Sequence, residues 1–561
     1  MTTNAPLFSA WMDQFFEAYY RNRPVNASFI GVHDYDHHLP DFSEHGAGDS
    51  LAEMEGLLQR LQALPQEPLT PIERIDCALA EGFLKIQSWE YRSDHFHNGN
   101  PSVYTGEAIF GLMSLFLGAA TPLAERIEAA VARMQAIPAF LEQGQMNLRQ
   151  SPAAWTERAI RECRGALAFL NDGLGYLVSD QHIDNPRFTR AANAAVEAFG
   201  EFQHHLETEL RLHPTQDYAC GAPAFDLMLR QGHFLEMTTD EIVAYAEQEL
   251  QTAQAYLWEH AGDFGAATPE AALAHLADLH PTTEGYLGRY AEFWQAARQA
   301  SLTHALVTWP DFPIRYVLQP RWARKAAPYL YFLFYRAPAA FNRPPVHDYL
   351  VTPIEASLPL DEQENLLRST NDSVIKLNHV LHHGSLGHHV QNWYAYRSKS
   401  RLGQVAAVDC ASRIAMFCGG TMAEGWAVYA TDLIADTGFM TPLEHYSEYQ
   451  SRRRFCARAI VDVQLHQGQF SLEEAARFYE QRAGMDPSFA RSEAVKNSMF
   501  PGVAVIYLLG CDRIHRLRRD LASRQGDRFS LRNFHDQFLS YGSIPVELIA
   551  KEMEKEEDNA Q

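Results

Sequence analysis

The chain has 561 residues, of which 46% are hydrophobic and 12% aromatic, and its formal net charge is −23. This composition excludes a disordered or fibrous protein, and the length allows one very large core or several ordinary ones. Because nucleic acids and anionic membranes bind basic surfaces, the acidic balance predicts neither as a partner.

The cysteines and the first residues bear on location. Seven cysteines are scattered along the chain without a CxxC pair, which is typical of reduced thiols in a cytoplasmic protein. Residues 1–8 contain no basic region followed by an apolar run, and no stretch reaches the roughly 18 apolar residues of a membrane span. We therefore expect a soluble, cytoplasmic protein without a membrane partner.

Helical patterns dominate the chain from its start. Apolar residues recur every fourth position between Leu7 and Tyr19, and Pro24 ends the pattern. Three further helix starts are predicted by N-cap residues, followed by glutamate at the third position or by proline at the first: Thr238, Thr268 and Ser471. The spread of these patterns predicts a mainly α protein.

Strand-like sequence is scarce and lies shortly before the histidines discussed below. Three segments rich in β-branched or aromatic residues are candidates, at 314–318, 329–335 and 349–352. We expect a small sheet between about residues 312 and 352.

The domain organisation is weakly marked in the sequence. We predict one domain over 1–561, with plausible divisions near 225 and 305. The last residues, 551–561, are mostly charged and are predicted to be a disordered tail.

A histidine cluster is the strongest chemical feature. His382, His383, His388 and His389 fall within eight residues, and Glu424 follows in a helical segment. Imidazole is the commonest metal ligand in proteins, and two histidines with one glutamate form a known catalytic zinc set. The cluster therefore predicts a divalent transition metal, with Zn²⁺ as the expected ion.

The spacing leaves the second histidine ligand open. On a regular helix His389 would return to within roughly 20° of His382, whereas His388 would lie about 120° away. Gly384 and Gly387 favour a break, after which His388 would take the second position. The alternative to a metal site is a patch of hydrogen-bonded core histidines.

The residue after the first ligand is unusual. Helical zinc hydrolases carry a glutamate there, which accepts the proton of the metal-bound water. Here the position is His383, whose ordinary pKa near neutrality suits an acid/base group. We therefore expect His383 to be catalytic.

The chain resembles the bacterial domain-of-unknown-function family numbered 885, proteins regarded as zincin-type metallopeptidase relatives. Residues 382–391 are similar to the family motif His-Glu-x-x-Pro-Gly-His-His-Leu-Gln, and 424–429 to Glu-Gly-Trp-Ala-x-Tyr. Further family segments resemble residues 24–31, 39–43, 500–510, 534–536 and 542–545, so the resemblance covers essentially the whole chain.

The resemblance implies a zincin-like helical body, and we expect the small sheet predicted at about 312–352 to line its metal cleft. It also implies that His382, His388 or His389, and Glu424 bind the metal, and that Tyr507 donates to a developing oxyanion. The chain departs from the family at three places: His383 replaces glutamate, Leu386 replaces proline, and Lys496-Asn497 replaces an Arg-Tyr pair expected to bind substrate. Ordinary peptidase activity should therefore be weak.

These features together predict a metal-dependent enzyme derived from zinc peptidases. Its substrate is expected to be a small amide, an amino-acid conjugate or a short peptide-like molecule, with Lys496 and Asn497 in contact with it. Hydrolysis is the expected reaction, with elimination or rearrangement as variants. The alternative is a catalytically inactive binding or scaffold protein that retains the peptidase fold.

Overall fold

A computed structural model describes residues 5–65, 69–117, 121–329, 338–406 and 413–560, and most of them are helical. The mainly α prediction is therefore confirmed. Within these ranges, none of the helices combines the length and the apolar character needed to cross a bilayer.

The α-helices are numbered in chain order. Those of the first half are α1 Ala5–Asn22, α2 Pro24–Ile30, α3 Glu44–Gln62, α4 Pro71–Arg92, α5 Ser102–Leu117, α6 Leu123–Asn147, α7 Ala153–Ala168, α8 Leu174–Gln181, α9 Pro186–Thr208, α10 Ala222–Leu227, α11 Thr239–His260, α12 Pro269–Ala274 and α13 Tyr286–Thr303. Those of the second half are α14 Arg321–Arg324, α15 Leu360–Ser369, α16 His388–Ala395, α17 Arg401–Val405, α18 Arg413–Ala435, α19 Pro442–His466, α20 Leu472–Ala483, α21 Pro487–Met499, α22 Ile506–Gln525, α23 Leu531–Ser540 and α24 Val546–Ala560. Wider π-helical turns occupy Phe169–Gly173, Met228–Gly232 and Val374–Gly384.

The predicted helix boundaries are confirmed where capping residues define them. Helix α1 ends at Asn22, just before Pro24 begins α2. Thr238 and Ser471 each accept a hydrogen bond from the backbone of a glutamate three residues later, and that glutamate bonds back to complete a capping box. Thr268 caps α12 ahead of a proline.

Two small parallel sheets accompany the helices. Strands β1 (Ser151–Pro152) and β2 (Pro214–Thr215) pair with each other, as do β3 (Ile314–Leu318) and β4 (His347–Val351). Strand β3 matches the predicted segment, and β4 begins two residues before the predicted one. Of the third candidate, 329–335, Tyr329 ends a 3₁₀ turn, and the rest lies outside the described residues.

The described residues divide into two compact units. The first comprises the residues up to Cys220 together with 319–329 and 338–344, and the second comprises 221–318 and the residues from Pro345 onwards. The first boundary lies close to the division predicted near 225. Whether the chain is one domain, as predicted, stays a prediction.

The first unit is a helical body with an aromatic core. Phe42 packs against the rings of Phe96, Tyr104 and Phe140 at centroid distances of 5.2, 5.9 and 5.7 Å. Such edge-to-face and tilted contacts add to the free energy of apolar burial. Part of the chain's aromatic richness is therefore structural.

In the second unit, α18 packs against α22 and α11 packs against α19. A Cβ atom on Gly425 of α18 would lie 2.5 Å from the carbonyl carbon of Gly510 in α22, and one on Gly510 would lie 2.1 Å from the Thr421 oxygen. These two glycines therefore let the helix backbones touch. The close approach brings Glu424 of α18 near Tyr507 of α22.

The predicted disordered tail is wrong for the described residues, because α24 continues to Ala560. An apolar stripe at helical spacing (Val546, Ile549, Ala550 and Met553) is buried, and Met553 is 2% exposed. Arg513 pairs with Glu547 and Glu554 at 2.7 and 2.9 Å. Burial of this stripe holds a charged segment in a helix.

Candidate metal centre

The histidine motif spans a break between two helices. The π-helix ends at Gly384, and α16 begins at His388, so the break predicted from the glycines is present. A Cβ on Gly384 would lie 2.3 Å from the Tyr316 hydroxyl, and one on Gly387 would lie 2.0 Å from the His382 carbonyl oxygen. Only glycine fits such contacts, which fixes the path of the chain between the histidines.

The break brings two histidines to one carboxylate. Nε2 of His382 lies 3.3 Å from Oε2 of Glu424, and Nε2 of His388 lies 3.6 Å from the same oxygen. The ring centroids of the two histidines are 4.8 Å apart. Two imidazole nitrogens and a carboxylate oxygen thus converge from three separate helical segments.

His389 lies outside this group. Its Nε2 donates to the Phe312 carbonyl at 2.7 Å, and its ring stacks on the Phe312 ring at 5.2 Å. His388 and His389 are equally buried, at 1% and 0% exposure. Orientation rather than burial therefore distinguishes them, and of the two the structure places His388 beside Glu424.

His383 borders the same group. Its Nδ1 donates to the Asn378 carbonyl at 2.8 Å, which leaves Nε2 as the proton-accepting nitrogen of the neutral ring. The ring lies 4.7 Å from that of His382 and 5.4 Å from that of His388, and one nitrogen of each of the three lies within 4.8 Å of the others. This geometry suits both a ligand and a group acting beside one.

The electrostatics favour neutral rings of His382 and His383 beside a charged carboxylate. Burial, and then the neighbouring His382, hold the pKa of His383 well below its ordinary value. Although burial opposes it, the imidazoles of His388 and His382 keep the pKa of Glu424 well below its usual range. Neutral imidazole and ionised carboxylate are the protonation states in which these side chains bind metals.

Tyr507 reaches the group from α22. Burial, and then the negative charge of Glu424, raises the pKa of the Tyr507 hydroxyl well above its ordinary value. The ring stacks on Phe455 at 5.4 Å, nearly parallel to it. Tyr507 is therefore a protonated phenol whose ring is held beside the group.

The turn before α22 is held by a buried carboxylate. Asp462 accepts hydrogen bonds from the backbone N–H groups of Gly502, Ala504 and Val505 at 3.0, 2.8 and 3.2 Å. His233 donates to the Gly502 carbonyl at 2.7 Å. These bonds fix the start of α22 and with it the position of Tyr507.

Arg458 was not found by sequence reasoning. Its guanidinium lies 5.1 Å from the centre of the Tyr507 ring and pairs with Glu493 at 2.8 Å. Its positive charge contributes, after burial, to lowering the pKa of His382. No spacing in the sequence links α19 to α22, so this contact had no signal.

The two predicted substrate residues are not in the histidine group. Asn497 is buried, its side-chain amide donates to the Tyr479 hydroxyl, and its backbone oxygen accepts from His466 at 2.9 Å. Lys496 lies half-buried in the last turn of α21. One turn earlier, Glu493 pairs with Arg458, so α21 connects to the centre through that ion pair.

The backbone around the cluster is also fixed by buried polar contacts. Nε1 of Trp426 donates to the Leu386 carbonyl at 2.9 Å, inside the break between the helices. On β4, the Tyr349 hydroxyl lies 2.7 Å from Nδ1 of His379 in the π-helix. The small sheet and α18 therefore both hold the histidine segment in place.

Fold and site together define a mainly helical protein in which a broken histidine helix faces a glutamate helix. The chain belongs to the family described as bacterial protein of unknown function (DUF885), whose model matches residues 24–553. No curated protein matches the chain.

Two solved structures have the same fold. A "putative lipoprotein of unknown function" from Shewanella oneidensis is 21% identical with a TM-score of 0.76, and the match covers 97% of this chain and 99% of that one. A "putative lipoprotein" from Colwellia psychrerythraea is 15% identical with a TM-score of 0.77, and both chains are covered completely. At these identities the likeness establishes the fold alone.

Proposed function

We propose that this protein is a metal-dependent enzyme related to zinc peptidases, with zinc held by His382, His388 and Glu424. The observation that carries the proposal is the convergence of both imidazoles on one carboxylate oxygen, at 3.3 and 3.6 Å. Two histidines and one glutamate leave a fourth zinc position open, as catalytic sites require. The zincin-type relationship rests on this donor set and on the motif resemblance.

Zinc at this position would polarise a substrate carbonyl or lower the pKa of a bound water. The chain's own residues supply the proton transfers. His383, whose Nδ1 donates to Asn378, presents Nε2 as the acceptor of a proton. Tyr507, whose raised pKa keeps the hydroxyl protonated beside Glu424, is the proposed donor to negative charge that develops on a substrate oxygen.

The proposed substrates are small amides and amino-acid conjugates, and the proposed reaction is hydrolysis. Large peptides are expected to be poor substrates, because general-base help from a glutamate beside the first ligand is worth about 10²–10⁴-fold. His383 stands at that position, and its low pKa makes it a weaker base than its unperturbed value suggests. Elimination or rearrangement at the same centre is the variant to test if hydrolysis fails.

A second candidate function is a binding or scaffold protein without turnover. It is favoured by the position of Asn497, which is held in a buried network with Tyr479 and His466 instead of beside the histidines. A protein of this kind would bind metal and a small ligand but convert neither generic nor specialised amides.

The location of the protein belongs to the same proposal. The names of the two related structures favour a protein attached to a membrane by lipid, in contrast to the cytoplasmic location expected from composition. Fractionation of native cells followed by detection in the soluble and membrane fractions decides between them.

The decisive experiment is elemental analysis of untagged protein purified without added metal. We expect one zinc-class ion in this centre, which His389→Gln should retain and His388→Gln should lose. The two variants are a matched pair, because each removes one of two adjacent buried histidines. Turnover of N-acyl amino acids and small amides is then measured on the same samples. Metal without turnover favours the scaffold function, and an intact metal content in His388→Gln contradicts the proposed centre.

A further inference from the structure

A second group of metal-ligand atoms lies on α18 and α22, away from the histidine centre. Oδ2 of Asp432 in α18 lies 3.4 Å from Sγ of Cys511 and 2.9 Å from Nε2 of His515, both in α22. The three ligand atoms all lie within 4.8 Å of one another. Asp432 follows Glu424 by two helical turns, about 12 Å along α18, so this group is separate from the histidine centre.

The residue types and their spacing suit a transition metal. Cys511 and His515 are four residues apart and therefore share one face of α22. Thiolate, imidazole and carboxylate are all zinc ligands, with bonds of about 2.0–2.3 Å that place the ligand atoms about 3.3–3.8 Å apart. Two distances of 2.9 and 3.4 Å are close to that spacing, so small side-chain shifts suffice.

The group also has access to solvent. Asp432 and His515 line a cavity of about 500 Å³, and their side chains are 38% and 29% exposed. Cys511 approaches from the buried side, at 0% exposure. The Tyr429 ring meets the His515 ring edge-on at 4.7 Å and fixes its orientation. The arrangement thus has three ligands on one side and open space on the other.

The cavity lining contains both signs of charge: five acidic side chains and three arginines, which are Glu249, Asp432, Asp436, Glu448 and Asp512 with Arg452, Arg516 and Arg519. Burial, followed by the charge of Asp432, raises the pKa of Glu448 to about 8, so this carboxyl group adds little negative charge at neutral pH. Arg452 is half-buried and is already paired with Asp512 and Glu249 at 2.6 and 2.7 Å, whereas Arg516 and Arg519 are exposed. In the absence of metal, the Cys511 thiol donates to the same carboxylate oxygen that pairs with His515, and a bound ion would replace both contacts.

We propose that Asp432, Cys511 and His515 form a second, sulfur-containing site for a divalent transition ion, with zinc preferred and one coordination position open to the cavity. The site is independent of the histidine centre, because the two groups share no residue. A ligand set of one sulfur, one nitrogen and one oxygen selects zinc, cobalt or copper over calcium and magnesium.

Cobalt(II) substitution tests this site directly. The protein is stripped of metal, reloaded with Co²⁺ alone, and examined by near-ultraviolet and visible absorption. A thiolate-to-cobalt charge-transfer band is expected, which the histidine centre cannot produce because it contains no sulfur. We expect the band to disappear in Cys511→Ser and to persist in Cys163→Ser, whose cysteine is equally buried in the first unit.

Metal stoichiometry separates this proposal from the one above. Reloading with Zn²⁺ should give two ions in the native protein, one in His388→Gln and one in Cys511→Ser. If the histidine centre binds no metal, the native protein should give one ion, and His388→Gln should still show the cobalt band. His515→Gln, which leaves the thiol in place, serves as a second variant if Cys511→Ser does not fold. Absence of the band from native protein, or its persistence in Cys511→Ser, overturns the proposal.

Discussion

Replacing Gly387 by alanine should disrupt the candidate metal centre without touching any ligand side chain. The new Cβ would lie 2.0 Å from the His382 carbonyl oxygen and 2.7 Å from the Leu381 oxygen. Real Cβ atoms essentially never show contacts shorter than 3.0 Å, so the backbone at Gly387 must move about 1 Å away from the backbone at His382. That movement shifts His388 relative to His382.

The expected magnitude follows from the tolerance of metal sites. Ligands must be held within about 0.5 Å of the productive geometry, so a displacement of about 1 Å exceeds the tolerance. Zinc affinity should fall at least about tenfold, the size of effect seen when supporting contacts of ligands are lost. Overpacking of the backbone should also lower the free energy of unfolding by about 1–3 kcal/mol.

The assay is competition for zinc with a chromophoric chelator, combined with urea unfolding of the metal-free protein. Gly288→Ala in α13 is the matched control, because a Cβ there meets nothing within 4 Å. Alanine at that helical position should leave zinc affinity unchanged and be neutral or slightly stabilising. Native zinc affinity in Gly387→Ala would refute the argument that this glycine sets the distance between the histidines.

Three further predictions concern single side chains. His383→Ala should keep its metal and lower turnover about 10²-fold or more if His383 transfers the proton, whereas loss of metal would show a ligand. Burial lowers the pKa of His233 and of His535 to about 4, so the folded state binds fewer protons than the unfolded state. As the pH falls from 7 to 5, each histidine should therefore lower the free energy of unfolding by about 2 kcal/mol. Asp462→Ala leaves three buried backbone N–H groups without their carboxylate and should cost more than about 3 kcal/mol.

For each of the three changes, one measured outcome would contradict the expected result. Unchanged metal, turnover and melting temperature in His383→Ala would remove that residue from the mechanism. For the pH dependence, the urea midpoint is measured against pH, and His233→Gln should flatten its slope. His45→Gln is the control, because the His45 side chain is 88% exposed, and it should leave the slope unchanged. Equal slopes in all three proteins would contradict the burial argument. For Asp462→Ala, a urea midpoint equal to that of native protein would show that the turn before α22 is held by other contacts.

Local features of the sequence predicted local structure well. Thr238 and Ser471 begin helices because their hydroxyls satisfy backbone N–H groups that no helix can satisfy by itself. Residues 314–318 form β3 because β-branched and aromatic residues between prolines favour an extended backbone. The break between His382 and His388 was also predictable, since glycine destabilises a helix interior.

The long-range part of the centre was not predictable from spacing. Glu424 reaches His388 because α18 packs against α16, and it lies near Tyr507 because α18 and α22 touch at Gly425 and Gly510. Arg458 meets Tyr507 through the packing of α19 against α22, for which the chain carries no local pattern. The prediction of a disordered tail was wrong for a different reason. The many charged residues there favour disorder, but Ile549 and Met553 stand at helical spacing among them and are buried.

The two proposed metal sites share α18, and α22 borders both. Helix α18 supplies Glu424 and Asp432, whereas α22 supplies Tyr507 to the first site and Cys511 with His515 to the second. Because the helix backbones are in contact at glycines, their spacing has a lower limit that side-chain repacking cannot change. A change that moves α22 away from α18 therefore separates the ligands of the second site but removes only Tyr507 from the first. A displacement of α18 moves one ligand of each site, whereas replacement of one ligand alters only its own site. Joint loss of both ions thus indicates a displaced α18, and loss of a single ion indicates either a lost ligand or, at the second site, a displaced α22.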